Sequence, residues 1–272
     1  MFRFLFPLFT VTVILILPFH SLAEADENVI PQPIKEMFQS NLVYPQEEDE
    51  IQFTLFPSFS KNDSSKSVRT LFEVEYGITD SFQIIFEWDG LLHRNPNNSP
   101  SISGTGNIEI GAQYSWMGLG DGHTHFSFGN LIELPVGPVD NKLTKGFLEV
   151  QPFVVLARDF PEINQSQIFF ELGFNWVEKI RSVPEDSDPA INSISWNVGA
   201  FYPIGSWRAT LELNGNNNKW DGGDKSTIFI TPGIINKLSR EWEIGIAAPI
   251  GMTSSTDDYR VVGYLMREFE LD

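Results

Sequence analysis

One His-x-Ser spacing in this sequence could support nucleophilic chemistry. His125 and Ser127 are two residues apart, with Asn130 nearby, and side chains two apart on a β-strand share a face. A histidine beside a serine can activate it as a nucleophile, and an amide can orient the pair. Gly129 and Glu133 share this face, whereas the apolar alternate residues take the opposite one, where acyl chains would arrive. The pattern favours inward-facing polar side chains over a catalytic pair, and no enzyme activity is predicted.

Three further groups of residues could hold a ligand. The stretch GLGDG at residues 118–122 has the glycines of a dinucleotide loop but lacks the strand-and-helix context. Residues 214–224 (NGNNNKWDGGD) collect oxygen ligands that Ca²⁺ prefers, without the acid spacing of an EF-hand, so a Ca²⁺ site and a plain solvated loop both stay open. His123 and His125 form only a two-ligand pair for a transition metal. No cofactor and no metal site is predicted.

Composition excludes several classes of function. The 272 residues include 36 acidic and 18 basic ones, a net charge of −18 at pH 7, and the isoelectric point is near 4.5. Such a chain repels phosphate, and no basic patch with interleaved aromatic residues offsets this, so nucleic acid is not a predicted partner. The chain has no cysteine, which excludes disulfides, thiolate metal sites and a cysteine nucleophile.

Alternating apolar and polar residues position these side chains on β-strands. In residues 67–92 two alternating runs flank the turn at residues 79–81, which predicts a hairpin with its apolar faces on one side. The same design recurs to the C-terminus. Twelve runs follow one another: Ile51 to Ser60, Val68 to Ile78, Phe82 to Leu92, Asn107 to Met117, His123 to Leu134, Phe147 to Ala157, Gln167 to Val177, Ser193 to Tyr202, Trp207 to Asn214, Thr227 to Ile235, Trp242 to Met252 and Tyr259 to Phe269.

The connections between these runs alternate in length. Those after odd-numbered runs are mostly long and rich in Asn, Asp, Ser and Gly, whereas those after even-numbered runs are mostly tight, except residues 158–166. Short turns on one side and long loops on the other are typical of outer-membrane barrels with both termini in the periplasm. The sequence therefore predicts an all-β fold, an antiparallel transmembrane β-barrel of about 12 strands after an N-terminal signal peptide, in the bacterial outer membrane.

A soluble lipocalin-like barrel or sandwich would show the same alternation, with its apolar face turned inward. Twelve strands would enclose more volume than apolar side chains could fill, however, and the polar face carries many small or charged residues. Aromatic residues also lie near the run ends, as in the interfacial girdles of a membrane barrel. These residues are Trp88, Tyr114, Trp116, Trp176, Trp196, Tyr202, Trp207 and Trp242.

The N-terminus predicts export. Arg3 precedes an apolar run at residues 4–19, and Ser21 and Ala23 stand at the −3 and −1 positions of a cleavage site, so residues 1–23 are predicted to be a signal peptide. An uncleaved anchor helix is the alternative, but the run is shorter than the ~20 residues that a spanning helix needs. Residues 24–49 contain three prolines and lack alternation, which predicts a periplasmic N-terminal tether or plug. Residues 50–272 are predicted to form the barrel.

Three stretches carry a resemblance to a known family. GITDSFQIIFEWDG, GTGNIEIGAQYSW and TPGIINKLSREWEIGIAAPIGM are similar to the strand-turn units of the outer-membrane transporter family labelled "MetA-pathway of phenol degradation". The resemblance extends from about Asn41 to the C-terminus. It implies a porin or uptake channel of the twelve-strand type for small solutes, aromatic molecules among them, with no catalytic residues. Such barrels usually end on Phe or Trp, whereas this chain ends Phe269-Glu270-Leu271-Asp272, which departs from the usual assembly cue.

The strand phase predicts an acidic lumen. Ten acids point inward by this phase, against two firm inward cations, and clustered carboxylates in a narrow channel attract cations and repel anions. The predicted lumen-lining residues are Arg69, Glu73, Glu75, Glu87, Asp89, Glu109, Gln113, His125, Glu133, Glu149, Glu171, Arg208, Glu212 and Glu243. Inward Phe153, Phe169, Phe201 and Phe229 are expected to let neutral aromatic molecules pass.

The predicted function is an outer-membrane pore or transporter for small cations, neutral or aromatic molecules, with membrane lipids and solutes as partners and the oligomeric state open. The alternatives are a lipid-acting enzyme using His125 and Ser127, and a structural or adhesion barrel that binds partners through its long loops.

Overall fold

Apolar and polar residues alternate along the strands of this chain. In the computed structural model these strands form a single antiparallel sheet that closes on itself. The structure describes residues 32–139, 143–144, 146–179, 190–223 and 226–271. The predicted signal peptide lies outside these residues. In the described part of the chain no helix is long and apolar enough to cross a membrane.

The strands follow one another along the chain with short 3₁₀ turns at two connections. Their bounds are β1 (Glu50–Lys61), β2 (Ser65–Thr79), β3 (Phe82–Pro96), β4 (Ile102–Gly104), β5 (Ile108–Leu119), β6 (Thr124–Leu134), β7 (Phe147–Phe160), β8 (Ser166–Lys179), β9 (Ser193–Ile204), β10 (Trp207–Asn217), β11 (Ser226–Lys237), β12 (Trp242–Ala247), β13 (Ile250–Gly251) and β14 (Tyr259–Glu270).

The barrel wall has twelve strands, as predicted. β4 is a short ribbon that pairs only with β3, while β12 and β13 are two parts of one strand that both pair with β11 and β14. The break falls at Ala248-Pro249, where proline has no N–H to give to the ladder. β1 pairs with β14 from Glu50 opposite Glu270 to Lys61 opposite Tyr259, so the described strands of the twelve-stranded wall form a closed ring, and only the short β4 lies at an edge.

Tight connections at one end of the barrel, the turn end, alternate with longer loops at the other, the loop end. The turn end holds residues 80–81, 120–123, 161–165, 205–206 and 238–241, together with the start of β1 and the end of β14. The long connection expected at residues 158–166 shortens to five residues because β7 continues to Phe160 and β8 begins at Ser166. Several strands likewise run further toward the loop end than predicted; β3, for example, ends at Pro96 rather than Leu92.

The two faces of each strand differ in chemistry as the alternation requires. In β8, the outward Ile168, Phe170 and Leu172 are 52 %, 41 % and 44 % exposed, whereas the inward Gln167 and Glu171 are buried. Large apolar side chains are exposed in the same way on strands around the whole wall. In water this surface would be costly, but it matches a hydrocarbon surrounding.

Three of the four phenylalanines expected to line a path for aromatic solutes are buried against the wall, whereas Phe229 is only partly buried. A Cβ on Gly129 would lie 2.2 Å from the Phe153 ring, and a Cβ on Gly199 would lie 2.2 Å from the Phe169 ring. Each ring thus occupies the space that a side chain would take at a glycine of the neighbouring strand. Phe153, Phe169 and Phe201 are at most 4 % exposed.

Candidate functional site

Residues 32–49, which we call the inner segment, lie inside the barrel as far as Gln46 and leave it at the turn end over the exposed residues 47–49. The backbone oxygen of Pro33 accepts a hydrogen bond from Arg208 Nε in β10 (3.1 Å), and that of Leu42 accepts one from Gln113 Nε2 in β5 (2.8 Å). At its end, the N–H of Asp49 donates to the Gly77 carbonyl (3.0 Å) just before β1 begins. The segment therefore crosses from one side of the wall to the other within the turn-end half.

Three buried glutamates in the wall hold the inner segment by accepting its N–H groups. Glu212 in β10 accepts from the backbone N–H of Phe38 and of Gln39, both at 3.2 Å. It also accepts from Ser40 Oγ at 2.6 Å. A carboxylate removed from water needs such donors to remain charged, and a segment without strand or helix partners needs acceptors for its N–H groups.

Glu171 and Glu243 repeat this arrangement on either side. Glu171 in β8 accepts from the Asn41 N–H (2.9 Å) and from the Asn41 side-chain amide (3.1 Å). Glu243 in β12 accepts from the Lys35 N–H (3.2 Å) and from the Tyr264 hydroxyl (2.7 Å). Three of the ten acids predicted to face the lumen are thus bonded to the chain's own backbone.

Lys35 adds a charged contact near the seam of the barrel. Its ammonium group pairs with Glu268 in β14 and lies 3.8 Å from Glu50 Oε1 in β1. The side chains of Lys35 and Glu268 are both less than a tenth exposed. A buried ammonium is tolerated only when paired, so Lys35 ties the inner segment to the strands that close the sheet.

Tyr44 joins the inner segment to a polar network at the turn end. Its hydroxyl donates to Asp159 Oδ1 (3.0 Å) and accepts from Gln167 Nε2 (2.6 Å). Burial, and next the Asp159 carboxylate, raise the pKa of Tyr44 far above its usual value, so the hydroxyl keeps its proton. His125 Nε2 lies 2.9 Å from the other oxygen of Asp159, while His125 Nδ1 accepts from the Gly118 N–H at 3.0 Å.

This network leaves no His–Ser pair. Both ring nitrogens of His125 are bonded elsewhere, and Ser127 Oγ, fully buried, has no hydrogen-bond partner among the described residues. A nucleophile must contact its base and be reached by substrate. The geometry therefore argues against the lipid-acting alternative.

An acid-lined cavity of about 520 Å³ occupies the space between the inner segment and the loop end. Its acidic lining residues are Glu36, Glu73, Glu75, Glu87, Glu109, Glu133 and Glu149. Its basic lining residues are Lys35, Arg69 and Arg260. Seven acids therefore face three bases, and Arg69 is also paired with Asp89.

Glu36 belongs to the inner segment and completes a cluster with two wall residues. One carboxylate oxygen each from Glu36, Glu73 and Glu75 lies within 4.8 Å of the others, a spacing that a metal ion could use. Burial, and next the Glu75 charge, raise the pKa of Glu36 well above its usual range. Such a cluster can also hold protons, and among residues 32–271 that the structure describes nothing further points to a bound ion.

Two asparagines of the segment considered for Ca²⁺ are bonded within the wall. Asn214 is buried in β10, where its amide donates to Asn197 Oδ1 (3.0 Å) and its oxygen accepts from Thr231 (2.9 Å). Asn216 bonds to Ser193 at 3.0 Å. These amides are therefore bonded within the wall; Asp224 lies outside the described residues.

The structure brings the predicted inward residues together as two groups. Toward the turn end, Gln113, Arg208 and the three segment-binding glutamates contact the inner segment, and His125 lies beside Tyr44, with ring centroids 5.6 Å apart. The second group, Glu87, Asp89, Glu109, Glu133 and Glu149, lies around the cavity with Arg69. Glu73 and Glu75 also line the cavity but face the inner segment, where they cluster with Glu36 and where Gln46 Nε2 donates to Glu75 Oε2 at 2.8 Å.

Sequence reasoning missed the partners that the inner segment supplies. Lys35, Glu36 and Phe38 carry no periodic signal, so only their position inside the barrel reveals their contacts. Asp159 was missed because the predicted strand ended at Ala157, although continuing the alternation for two more residues would have placed it inward.

No protein-family model and no curated protein matches this chain. Among solved structures it is similar to an outer membrane channel from Pseudomonas putida F1, with a TM-score of 0.69 and 12% identity over 86% of this chain and 100% of that one. It is also similar to the β domain of the Bordetella autotransporter BrkA, with a TM-score of 0.50 and 8% identity over 81% of this chain and 98% of that one. At these identities the likeness concerns the fold.

The fold and the chemistry of the outer surface together show which environment surrounds the barrel. In a closed antiparallel wall the backbone N–H and C=O groups of each strand pair with those of its two neighbours, as a lipid surrounding requires. The outer face is apolar and has aromatic residues near the strand ends, as in outer-membrane barrels. This chain is an outer-membrane β-barrel. The aromatic Trp116, Tyr202 and Trp207 lie at the turn end of this barrel, and Trp88 and Trp176 lie toward its loop end, all on the exposed face.

Proposed function

We propose that this barrel is an outer-membrane channel for small solutes and that it prefers cations and neutral molecules. The observation that carries the proposal is the cavity of about 520 Å³ inside a closed wall, with seven acidic and three basic lining residues, an excess of acids that remains when Glu36 holds a proton. A single excess sign of charge within low-dielectric walls concentrates its field, which raises the local concentration of ions of the opposite sign. We also propose that the chain is a member of the outer-membrane transporter family labelled "MetA-pathway of phenol degradation".

The inner segment acts as the periplasmic plug in this proposal. Its apolar Ile34, Met37 and Val43 are at most 2 % exposed inside the barrel, and its N–H groups meet wall carboxylates. With the turn end at the periplasm, solutes would enter the acidic cavity from the loop end and pass when the plug moves.

The acids divide into two roles under this proposal. Glu109 and Glu133 line the cavity and make no hydrogen bond to the inner segment among those described, so they set ion selectivity. Glu171 and Glu212 bind the inner segment, so they set how often the channel is open.

Planar-bilayer recording of the full mature chain tests the proposal. Under a KCl gradient the reversal potential should show cation preference, and replacing Glu109 and Glu133 together by Gln should reduce it. Asp63→Asn is the matched control, because Asp63 is an exposed acid at the loop end outside the cavity lining. Anion preference, or a preference that the double variant leaves unchanged, would contradict the proposal.

A further inference from the structure

The ring of Phe38 occupies a shaped pocket in the barrel wall. A Cβ on Gly233 would lie 2.5 Å from the ring, and a Cβ on Gly245 would lie 2.9 Å from it, so only glycine leaves room at both places. The Tyr264 ring lies against it with centroids 5.3 Å apart at 46°. Tyr264 is itself held by its hydrogen bond to Glu243.

A carboxylate stands beside this pocket. The N–H of Phe38 donates to Glu212 Oε1 at 3.2 Å. The amide nitrogen, the two carbons and the ring of Phe38 have the connectivity of 2-phenylethylamine, so the wall accepts that skeleton in its present geometry. A free ammonium would pair with the buried carboxylate more strongly than an amide N–H does, because charge on both partners strengthens the hydrogen bond.

The pocket has spare hydrogen-bonding capacity and access. Thr210, 6 % exposed, has its hydroxyl beside Gly233, and this oxygen has no partner among the described residues. Phe38 and its neighbours Met37 and Gln39 line the acid-lined cavity, so the residue that fills the pocket lies next to the space that a solute would reach from the loop end.

We propose that the Phe38 pocket is a binding site for small aryl-alkyl ammonium ions, and that Phe38 fills it when the inner segment is docked. Solute and inner segment then compete for one site, so binding of such an ion displaces the segment. This inference rests on the proposed channel only for the route of access.

The first test measures binding by calorimetry in detergent, with 2-phenylethylammonium as the probe and the full mature barrel as the protein. Phe38→Ala removes the competing ring and weakens docking of the segment, whose N–H at position 38 is then the weaker partner of Glu212, so binding of the probe should tighten by about tenfold or more. Adding Gly245→Val to that variant fills the pocket and should abolish the gain. Ethylammonium lacks the ring and 2-phenylethanol lacks the charge, so both should bind the Phe38→Ala barrel at least about tenfold more weakly.

A second measurement uses a variant of the barrel that keeps Phe38. The chain has no cysteine, so a Val43→Cys variant carries a single thiol that is buried while the segment is docked. 2-Phenylethylammonium should speed its reaction with a maleimide, whereas ethylammonium at the same concentration should not. This measurement decides the matter if Phe38→Ala fails to assemble into a barrel.

The inference is overturned if Phe38→Ala binds the probe no better than the unchanged barrel, if Gly245→Val leaves the gain intact, or if ethylammonium acts as well as the aromatic probe. The last result would mean that the acidic cavity alone attracts cations. A cation-selective pore that binds no probe would refute this inference alone. A barrel that binds the probe yet passes no current would refute the channel alone.

Discussion

Replacing Glu212 by Gln should release the inner segment. The carboxylate accepts three hydrogen bonds from it, two from backbone N–H groups at 3.2 Å and one from Ser40 at 2.6 Å. Glutamine keeps one acceptor oxygen and turns an amide N–H group toward at least one of these donors. Because glutamine also removes the negative charge, the bonds that remain become weaker.

The magnitude follows from the number of bonds lost. A hydrogen bond to a charged group contributes about 1.5–3 kcal/mol, and a donor left without a partner costs about 1–3 kcal/mol. Part of the loss in docking free energy is offset, because in the unchanged barrel the Glu212 carboxylate regains bonds to water when the segment leaves. A net loss of about 1–3 kcal/mol in docking free energy remains, which is roughly a 5- to 150-fold shift toward the undocked state.

Maleimide labelling of Val43→Cys measures this shift, since Val43 is 1 % exposed in the docked state. In the Glu212→Gln background the labelling rate should rise by that factor. The barrel should remain folded, which is checked on gels by the faster migration of the unboiled sample. Glu109→Gln is the matched control, because Glu109 lines the cavity and bonds to Gln151. Equal rates in the two variants would refute the reasoning.

Three further outcomes are expected. Phe170→Arg, on the lipid face, should destabilise the folded barrel by ~2–4 kcal/mol if the residue lies near the midplane of the membrane, whereas Glu109→Gln should cost much less. Denaturant titration of the two variants checks this order, and the reverse order would mean that the face carrying Phe170 points into the lumen. Docking should weaken as the pH rises above the ordinary pKa of a glutamate, because burial raises the pKa of Glu36 and the docked state therefore binds a proton that the undocked state loses. The labelling rate of Val43→Cys, divided by that of the exposed Ser64→Cys to remove the pH dependence of the thiolate itself, should therefore increase with pH, and Glu36→Gln should flatten this ratio. Ser127→Ala should leave any lipid hydrolysis by the purified protein unchanged, and a loss of hydrolysis in this variant would revive the enzyme alternative.

The sequence by itself determined the wall. Each strand has one apolar and one polar face, because the side-chain period of a strand is two, and a slip by one residue would exchange the faces. Twelve alternating runs separated by short turns and longer loops therefore predict both the strand number and which residues of β8 meet lipid. The alternation does not mark the ends of the strands, since it fades where loops begin, and β7 runs three residues past the predicted Ala157.

Only the tertiary structure decided what the inward side chains do. Glu109 and Glu212 have the same strand phase and the same chemistry, yet one lines the cavity and the other accepts the N–H groups of Phe38 and Gln39. The difference comes from the inner segment, whose residues carry no periodic pattern and whose N–H groups find acceptors only when the barrel closes around them. Contacts between residues 174 positions apart, as between Phe38 and Glu212, depend on that closure and leave no local mark in the sequence.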